Sequence, residues 1–310
     1  MISVIIPVYN EQHNIEPVYH RLKLVLDKLN LSREIIYVND GSSDESAEII
    51  NRLAKSNSEV KYIHFSRNFG HQIAVSAGLD YATGDKVVII DADGQDPPEI
   101  IEQLYLKSLE GFEVVYAKRA ERLGESAMKK ATAKWFYRIL NKITHVDIPL
   151  DTGDFRIIDK KVVEQLRKMP EKRKFLRGQI SWIGFNQTFV EYKREERLSG
   201  QTGYTYRKMI RFAIDGITSF SNWPLKLATI SGFLFSFVGF LLILYTLYSR
   251  FFTDDYQPGW ASQMITIIFI GGIQLIGIGI IGEYISRMNE NIQNRPLYIV
   301  KESNLRNARH

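Results

Sequence analysis

The sequence predicts an α/β fold: a mostly parallel sheet with helices on both faces, followed by an interfacial helix and two transmembrane helices. Three observations predict it. Short β-branched runs alternate with stretches of helical apolar spacing through the first half of the chain. Several of those runs end in polar clusters. Two long apolar runs without charge lie near the C-terminal end.

Ile2 to Ile6 reads as a β-branched strand closed by Pro7, Tyr9, Asn10 and Glu11, and His13 to Leu29 follows with helical spacing. Glu34 to Val38 is a second buried strand ending in Asn39, Asp40, Gly41, Ser42, Ser43 and Asp44, with Asp44 a cap for the helix through Leu53. Val60 to Phe65 is the third strand, and Arg67 to Gly70 lead into a helix ending near Gly84. Val87 to Ile90 is the fourth strand, its unbroken apolar run marking burial on both faces. Glu113 to Ala117 is the fifth. Strands and helices alternating at this spacing predict right-handed βαβ units, so the polar ends of strands one, two and four converge on one crevice.

The fourth strand stops in Asp91, Ala92, Asp93, Gly94, Gln95 and Asp96, and the pair Pro97 and Pro98 then opens a helix. Open α/β sheets place ligands at this edge. Crowded carboxylates repel one another unless a cation sits among them, and hard oxygen donors suit Mg²⁺ or Mn²⁺. Asp91 and Asp93 are therefore read as metal ligands, with Gln95 as a neutral oxygen donor. An isolated Asp-x-Asp is more often an acidic surface turn; the buried strand before it and the prolines after it favour a site.

From Glu121 to Thr144 a helix carries Lys129, Lys130, Lys134 and Arg138 opposite Trp135, Phe136, Ile139 and Leu140. Asp151 to Arg156 precedes a short strand and a helix from Lys160 to Lys168, and Phe189 to Lys193 is a further strand. Arg194 to Tyr206 is polar with two glycines and predicts a mobile loop. Arg207, Lys208 and Arg211 beside Ile210, Ala213, Ile214 and Ile217 suit a helix lying in the headgroup layer, with Trp223 as an anchor; a core helix is the alternative.

Leu227 to Ser249 and Tyr256 to Gly282 contain no charged residue, and at about 1.5 Å per residue each crosses a hydrocarbon core of roughly 30 Å. The link between them carries Arg250 against Asp254 and Asp255, whereas both outer flanks are rich in lysine and arginine, which places both termini in the cytoplasm. A two-helix hairpin encloses no pore for a polymer, so the acceptor is expected to stay in the membrane. The N-terminus lacks the pattern of a signal peptide. Glycines 271, 272, 277 and 279 permit close helix packing within one chain or between copies. The boundaries expected are 1–203 for the catalytic domain, 204–225 for the interfacial region, 226–285 for the hairpin and 286–310 for a cytoplasmic tail.

Composition narrows the chemistry. The 310 residues are 45% hydrophobic, enough for a sizeable core, and the formal charge of +5 suits anionic partners without demanding nucleic acid. The absence of cysteine excludes thiolate metal sites and cysteine nucleophiles. The first strand is not followed by G-x-G-x-x-G and no Gly-Lys-Ser/Thr phosphate loop occurs, which sets aside a soluble dehydrogenase.

Taken together, Pro7-Val-Tyr-Asn-Glu11, Val38-Asn-Asp-Gly-Ser42, Asp91-Ala-Asp93-Gly-Gln95-Asp-Pro-Pro98 and Asp154-Phe-Arg156 resemble the family 2 glycosyltransferases of GT-A fold. Within them the chain looks most like the polyprenyl-phosphate group that includes dolichol-phosphate mannose synthase and bactoprenol glucosyltransferase. The resemblance implies that Pro7, Tyr9, Glu11 and Asp40 hold the base and ribose of a nucleotide sugar, with Val38, Ser42 and Ala92 in the same site. It implies that Asp91, Asp93 and Gln95 hold Mg²⁺ or Mn²⁺ on the diphosphate, and that transfer inverts the anomeric centre. Its further implications are a UDP-glucose donor, an undecaprenyl-type polyprenyl phosphate acceptor, the bilayer of a bacterial inner membrane, copies of the same chain and a separate flippase as partners, and no nucleic acid.

A lipid phosphate is already ionised at neutral pH and needs no general base. It needs cations that cancel repulsion between two phosphate-bearing substrates, and Arg119, Arg122, Lys134 and Arg138 are the candidates. Arg197 and Lys208 are candidates for a lid over the donor. Asp93 and Asp154 are the candidate catalytic residues; Asp154 replaces a small residue found in several relatives, which leaves it between positioning the sugar and acting as a base. The competing readings are a processive polysaccharide synthase, whose Gln-x-x-Arg-Trp-like motif is only faintly suggested by Gln179 to Trp182, and a non-catalytic membrane scaffold.

Overall fold

The computed structural model describes residues 1–120, 152–193, 221–252 and 259–305. Four parallel strands form the centre of the sheet: β1 (Ile2–Val8), β2 (Arg33–Asn39), β3 (Val60–Phe65) and β4 (Lys86–Ile89). Val4 faces Ile35 on one side and Val88 on the other. All seven residues of β1 are buried, which explains an apolar run where a half-exposed strand would alternate.

The period of two in β1 divides the core. Val4 and Ile6 pack beneath helices α1 (Ile15–Leu29), α2 (Ser46–Ser56) and α4 (Ile100–Leu109). Ile5 packs on the other face with α3 (His71–Tyr81) and α5 (Lys160–Lys168). α1 buries Ile15, Val18, Tyr19, Leu22, Val25 and Leu26, a stripe at three- and four-residue spacing, and stops at Asn30 in the left-handed region. The N-cap of α2 is Glu45 and not the expected Asp44; Asp44 stands one residue earlier, where its Oδ1 accepts from the Ser46 amide at 3.1 Å in a local turn.

Beyond β4 the sheet departs from a simple alternation. β6 (Thr152–Asp159) lies between β4 and β5 (Val114–Arg119), antiparallel to both, and β7 (Gln187–Tyr192) forms the outer edge parallel to β5. A short helix, α6 (Leu176–Ile183), precedes β7. The Asp154-Phe-Arg156 motif therefore lies within a strand and not ahead of one. Its charges concealed the period: Phe155 is buried in the core, while Asp154 and Arg156 share the opposite face.

The expected cytoplasmic tail 286–310 is likewise corrected. Residues to Ile292 continue the second long helix, and Val300–Ser303 form β8, antiparallel to β3 at the far edge. The order is β7-β5-β6-β4-β1-β2-β3-β8. Side chains reinforce this return: the Tyr298 hydroxyl donates to Asp80 at 2.9 Å, and its ring stacks on Phe65 at 5.0 Å.

A second compact unit holds α7 (Trp223–Phe252) and α8 (Trp260–Ile292). Each contains a window apolar and long enough to cross a membrane, Trp223–Leu242 and Phe269–Ile292, and neither window is buried by protein. Phe233 is 75% exposed and Leu275 71%, a surface suited to hydrocarbon and not to water. Phe235 meets Phe269 edge to face at 5.7 Å, and the Tyr284 hydroxyl donates to the Ser221 carbonyl at 2.6 Å.

Candidate active site

The carboxyl ends of β1, β2 and β4 meet, as parallel strands require. Pro7, Val8 and Tyr9 from β1, Asp40 after β2, Asn68 and Gly70 after β3, and His71 and Ala74 of α3 line a cavity of about 310 Å³. Asp40 anchors one wall. Its Oδ1 accepts from the Phe69 amide at 2.6 Å and its Oδ2 from the Gly70 amide at 2.9 Å, while burial pushes its pKa up against those two bonds. The adjoining Gly41 has φ of +67°, and a Cβ there would lie 2.4 Å from the Arg67 carbonyl carbon.

Glu11 and Ser42 do not line this cavity; they stitch its rims together. Ser42 Oγ accepts from the Asn10 amide at 3.0 Å, Ser46 Oγ accepts from the Glu11 amide at 3.1 Å, and Asn14 Nδ2 donates to Glu11 Oε2 at 2.5 Å. Val38 and Ala92 do not line the cavity with their side chains: Val38, on β2, and Ala92, in the turn after β4, are both sealed in the core.

Beside the cavity lies a crowd of carboxylates. Asp93 Oδ1 accepts from the Gln95 amide at 3.1 Å, which places Gln95 beside it. Asp91 Oδ1 has no hydrogen-bond partner among the described residues. Burial and the charges of Asp96, Asp154 and Asp93 push Asp91 up to about 6, against the pull of His71. A divalent cation fits this donor set: it would relieve the repulsion and take up the orphaned oxygen. Among the described residues no cluster of three ligating side chains occurs, so two carboxylates would leave positions for diphosphate oxygens and water, the arrangement Mg²⁺ favours.

Asp154 is the hub of a second cluster, joined to the cavity and to Asp91 through His71. It accepts from His71 Nε2 at 3.0 Å, Gln72 Nε2 at 3.1 Å, Arg156 Nη2 at 2.9 Å and Arg177 Nε at 3.0 Å. Burial raises its pKa, but Arg177, His71 and Arg156 overcome this and hold it well below the usual carboxylate range. A carboxylate so stabilised in its charged form is a poor proton acceptor, so the geometry favours positioning over base chemistry. Burial lowers the pKa of His71, but the hydrogen bond to Asp154 and the charges of Asp91 and Asp154 lift it to about 9. Arg156, 1% exposed, also donates to the Gly153 carbonyl at 2.9 Å and lies over the Tyr116 ring at 5.1 Å.

Arg119 reaches the cluster from the end of β5. A Cβ on Gly153 would come within 3.2 Å of its Nη2, and it hydrogen-bonds Tyr192, whose hydroxyl donates to Asp96 Oδ1. Arg122, Lys134, Arg138, Arg197, Lys208 and the amphipathic segment 206–220 lie outside the described residues.

His71, Gln72 and Arg177 were not foreseen from the sequence. His71 and Gln72 directly follow the Arg67 to Gly70 turn, at a strand end of the kind that marked the other loops. Arg177 carries no local signal; only the antiparallel placement of β6 brings it to Asp154.

Residues 3–167 match glycosyl transferase family 2. The chain belongs to that family. Residues 223–288 match the GtrB C-terminal hairpin, the segment that forms α7 and most of α8. The chain is 50% identical over 301 residues to the uncharacterized glycosyltransferase YkcC of Bacillus subtilis, covering 97% of this chain and 93% of that one. It is 40% identical over 302 residues to the bactoprenol glucosyl transferase of Shigella phage SfII, covering 97% and 98%. A mycobacterial protein of known crystal structure superposes with a TM-score of 0.50 at 18% identity, over 70% of this chain and 72% of that one. The sheet is that of the GT-A fold, and the protein is a glycosyltransferase.

Proposed function

We propose that this glycosyltransferase moves glucose from UDP-glucose to an undecaprenyl-type polyprenyl phosphate, with inversion, on the cytoplasmic leaflet of a bacterial inner membrane. The observation that carries the reading is the presence, in one chain matched along its length by a bactoprenol glucosyl transferase, of the Asp91 and Asp93 cluster and of two exposed helices apolar and long enough to cross a membrane.

The acceptor phosphate oxygen forms the new bond to the anomeric carbon as the bond to the leaving diphosphate breaks. That oxygen is already ionised, so no side chain has to remove a proton, in keeping with an Asp154 wholly engaged by cations. A Mg²⁺ or Mn²⁺ ion held by Asp91 and Asp93, with Gln95 beside them, would neutralise charge developing on the diphosphate. Pro7, Tyr9 and Asp40 wall the nucleoside, and Asp154 holds Arg156 and Arg177 beside the sugar. Arg119, with Arg122, Lys134 and Arg138, receives the acceptor phosphate, and Arg197 and Lys208 close over the donor. Lysine and arginine flank the hairpin outside its link, which supports the cytoplasmic orientation. The lipid-linked product then requires a separate flippase to cross the bilayer.

The test is incubation of the purified protein and Mn²⁺ with radiolabelled UDP-, GDP- and CDP-sugars and undecaprenyl phosphate. Label from UDP-glucose is expected in the organic phase and is expected to vanish with EDTA. Label confined to water-soluble glycan overturns the acceptor assignment.

A further inference from the structure

We infer that His71 contacts the donor diphosphate, with Asp154 as the residue that positions it; the inference deepens the donor reading above and rests on it.

The imidazole belongs to two places at once. It lines the cavity with Pro7, Tyr9 and Asp40, and it stands among the carboxylates, with Nε2 3.0 Å from Asp154 Oδ2 and 3.7 Å from Asp91 Oδ1. A nucleoside in that cavity has to send its diphosphate past this ring to reach Asp91 and Asp93. The side chain is 42% exposed, so a ligand has access to it.

Its position is built. Gly70, with φ of +105°, turns the chain into α3, and His71 is the first residue of that helix. The Gly70 amide is tied to Asp40, so the loop that carries the ring is fixed by the cavity wall. Gln72 donates to the same Asp154 oxygen at 3.1 Å, which holds the carboxylate from a second side. The first turn of α3 adds its partial positive charge on the side where an anion would arrive. His71 thus supplies a protein-borne diphosphate contact separate from the one made through Asp91 and Asp93.

Full-length protein in nanodiscs serves for isothermal titration with UDP, GDP and CDP, in Mn²⁺ and again in EDTA. Relative to the parent chain, His71→Ala is expected to weaken the best-bound nucleotide about tenfold in both conditions, the value of one lost hydrogen bond to a charged group. His71→Gln, which keeps an N–H donor, is expected to recover part of that loss. Asp93→Asn is expected to weaken binding only with Mn²⁺. In turnover, His71→Ala is expected to raise the donor KM and leave the acceptor KM within about twofold, a split that a merely structural role would not produce.

Nucleotide affinity within about twofold of the parent chain overturns the inference, as does a His71 effect that disappears in EDTA or a parent chain that binds no nucleoside diphosphate. Should His71→Ala fail to fold, His71→Leu, which also lacks a donor, carries the same thresholds. Intact nucleotide binding with a normal His71 effect, but without transfer to polyprenyl phosphate, overturns the acceptor reading alone.

Discussion

Asn39 Nδ2 donates to His64 Nδ1 across 3.2 Å, while Asn39 Oδ1 accepts from the Ser42 amide at 3.0 Å. The second bond fixes the first, because the amide cannot flip without losing Ser42. His64 must therefore accept at Nδ1 and donate from Nε2 to Asn51 Oδ1, 3.0 Å away, which makes it a neutral imidazole. Burial holds its pKa below 6.5, against the opposing charge of Glu302. The folded value is the lower one, so the stabilisation is complete above pH 6.5 and drains away as pH falls and the unfolded chain takes up protons first. His64→Gln is expected to flatten the loss of Tm between pH 7 and pH 5 by about 2–4 °C, the equivalent of one hydrogen bond in a chain of this size. Parallel melting curves for the two proteins would count against it.

Gly41 lies where two loops touch. Its positive φ and the 2.4 Å approach of the Arg67 carbonyl carbon leave no room for a methyl group, and backbone cannot swing aside as a side chain can. Gly41→Ala is expected to cost about 1–3 kcal/mol and to weaken nucleotide binding as the Asp40 clasp on Phe69 and Gly70 loosens. Chemical denaturation and nucleotide titration measure the two effects, and a stable variant with normal affinity would contradict the close approach.

Asp154 separates two mechanisms. As a general base, its replacement by asparagine would leave a sound fold and an inactive enzyme. As the counter-charge of Arg156, Arg177 and His71, its loss strands buried cations and is expected to cost about 3–5 kcal/mol. Asp154→Asn is therefore expected to lose stability together with activity, and the pH dependence of kcat in the parent chain is expected to show no limb from an acidic base. Loss of turnover without loss of Tm would restore the base.

Asp91 illustrates a stability–function exchange. Its charge is crowded by three other carboxylates, so Asp91→Asn in EDTA is expected to melt no lower than the parent chain. Mn²⁺ is expected to raise the Tm of the parent chain by mass action and to leave Asp91→Asn unmoved, with transfer reduced about 100-fold or more. An equal Mn²⁺ shift in both proteins would place the ion elsewhere.

The central strands were legible because each is an uninterrupted apolar run with a polar stop, a signal that survives without tertiary context. Val60–Phe65 matches its expected bounds, and β1, β2 and β4 match theirs to within a residue or two. The acidic end of β4 was legible for the same reason. What escaped depended on contacts distant in sequence. β6 was masked by charges that only Arg177 and His71 make tolerable, and β8 is a mixed Val-Lys-Glu-Ser stretch that becomes a strand only because β3 presents a free edge. Val38 and Ala92 misled because motif membership does not say whether a side chain faces the crevice or the core.

The position of β8 in the chain has a consequence for synthesis. The sheet's last member is synthesised only after both long apolar helices, so the catalytic unit keeps the edge of β3 uncovered until those helices have been made. A chain cut short before β8 would therefore carry both helices yet leave its sheet open along one side.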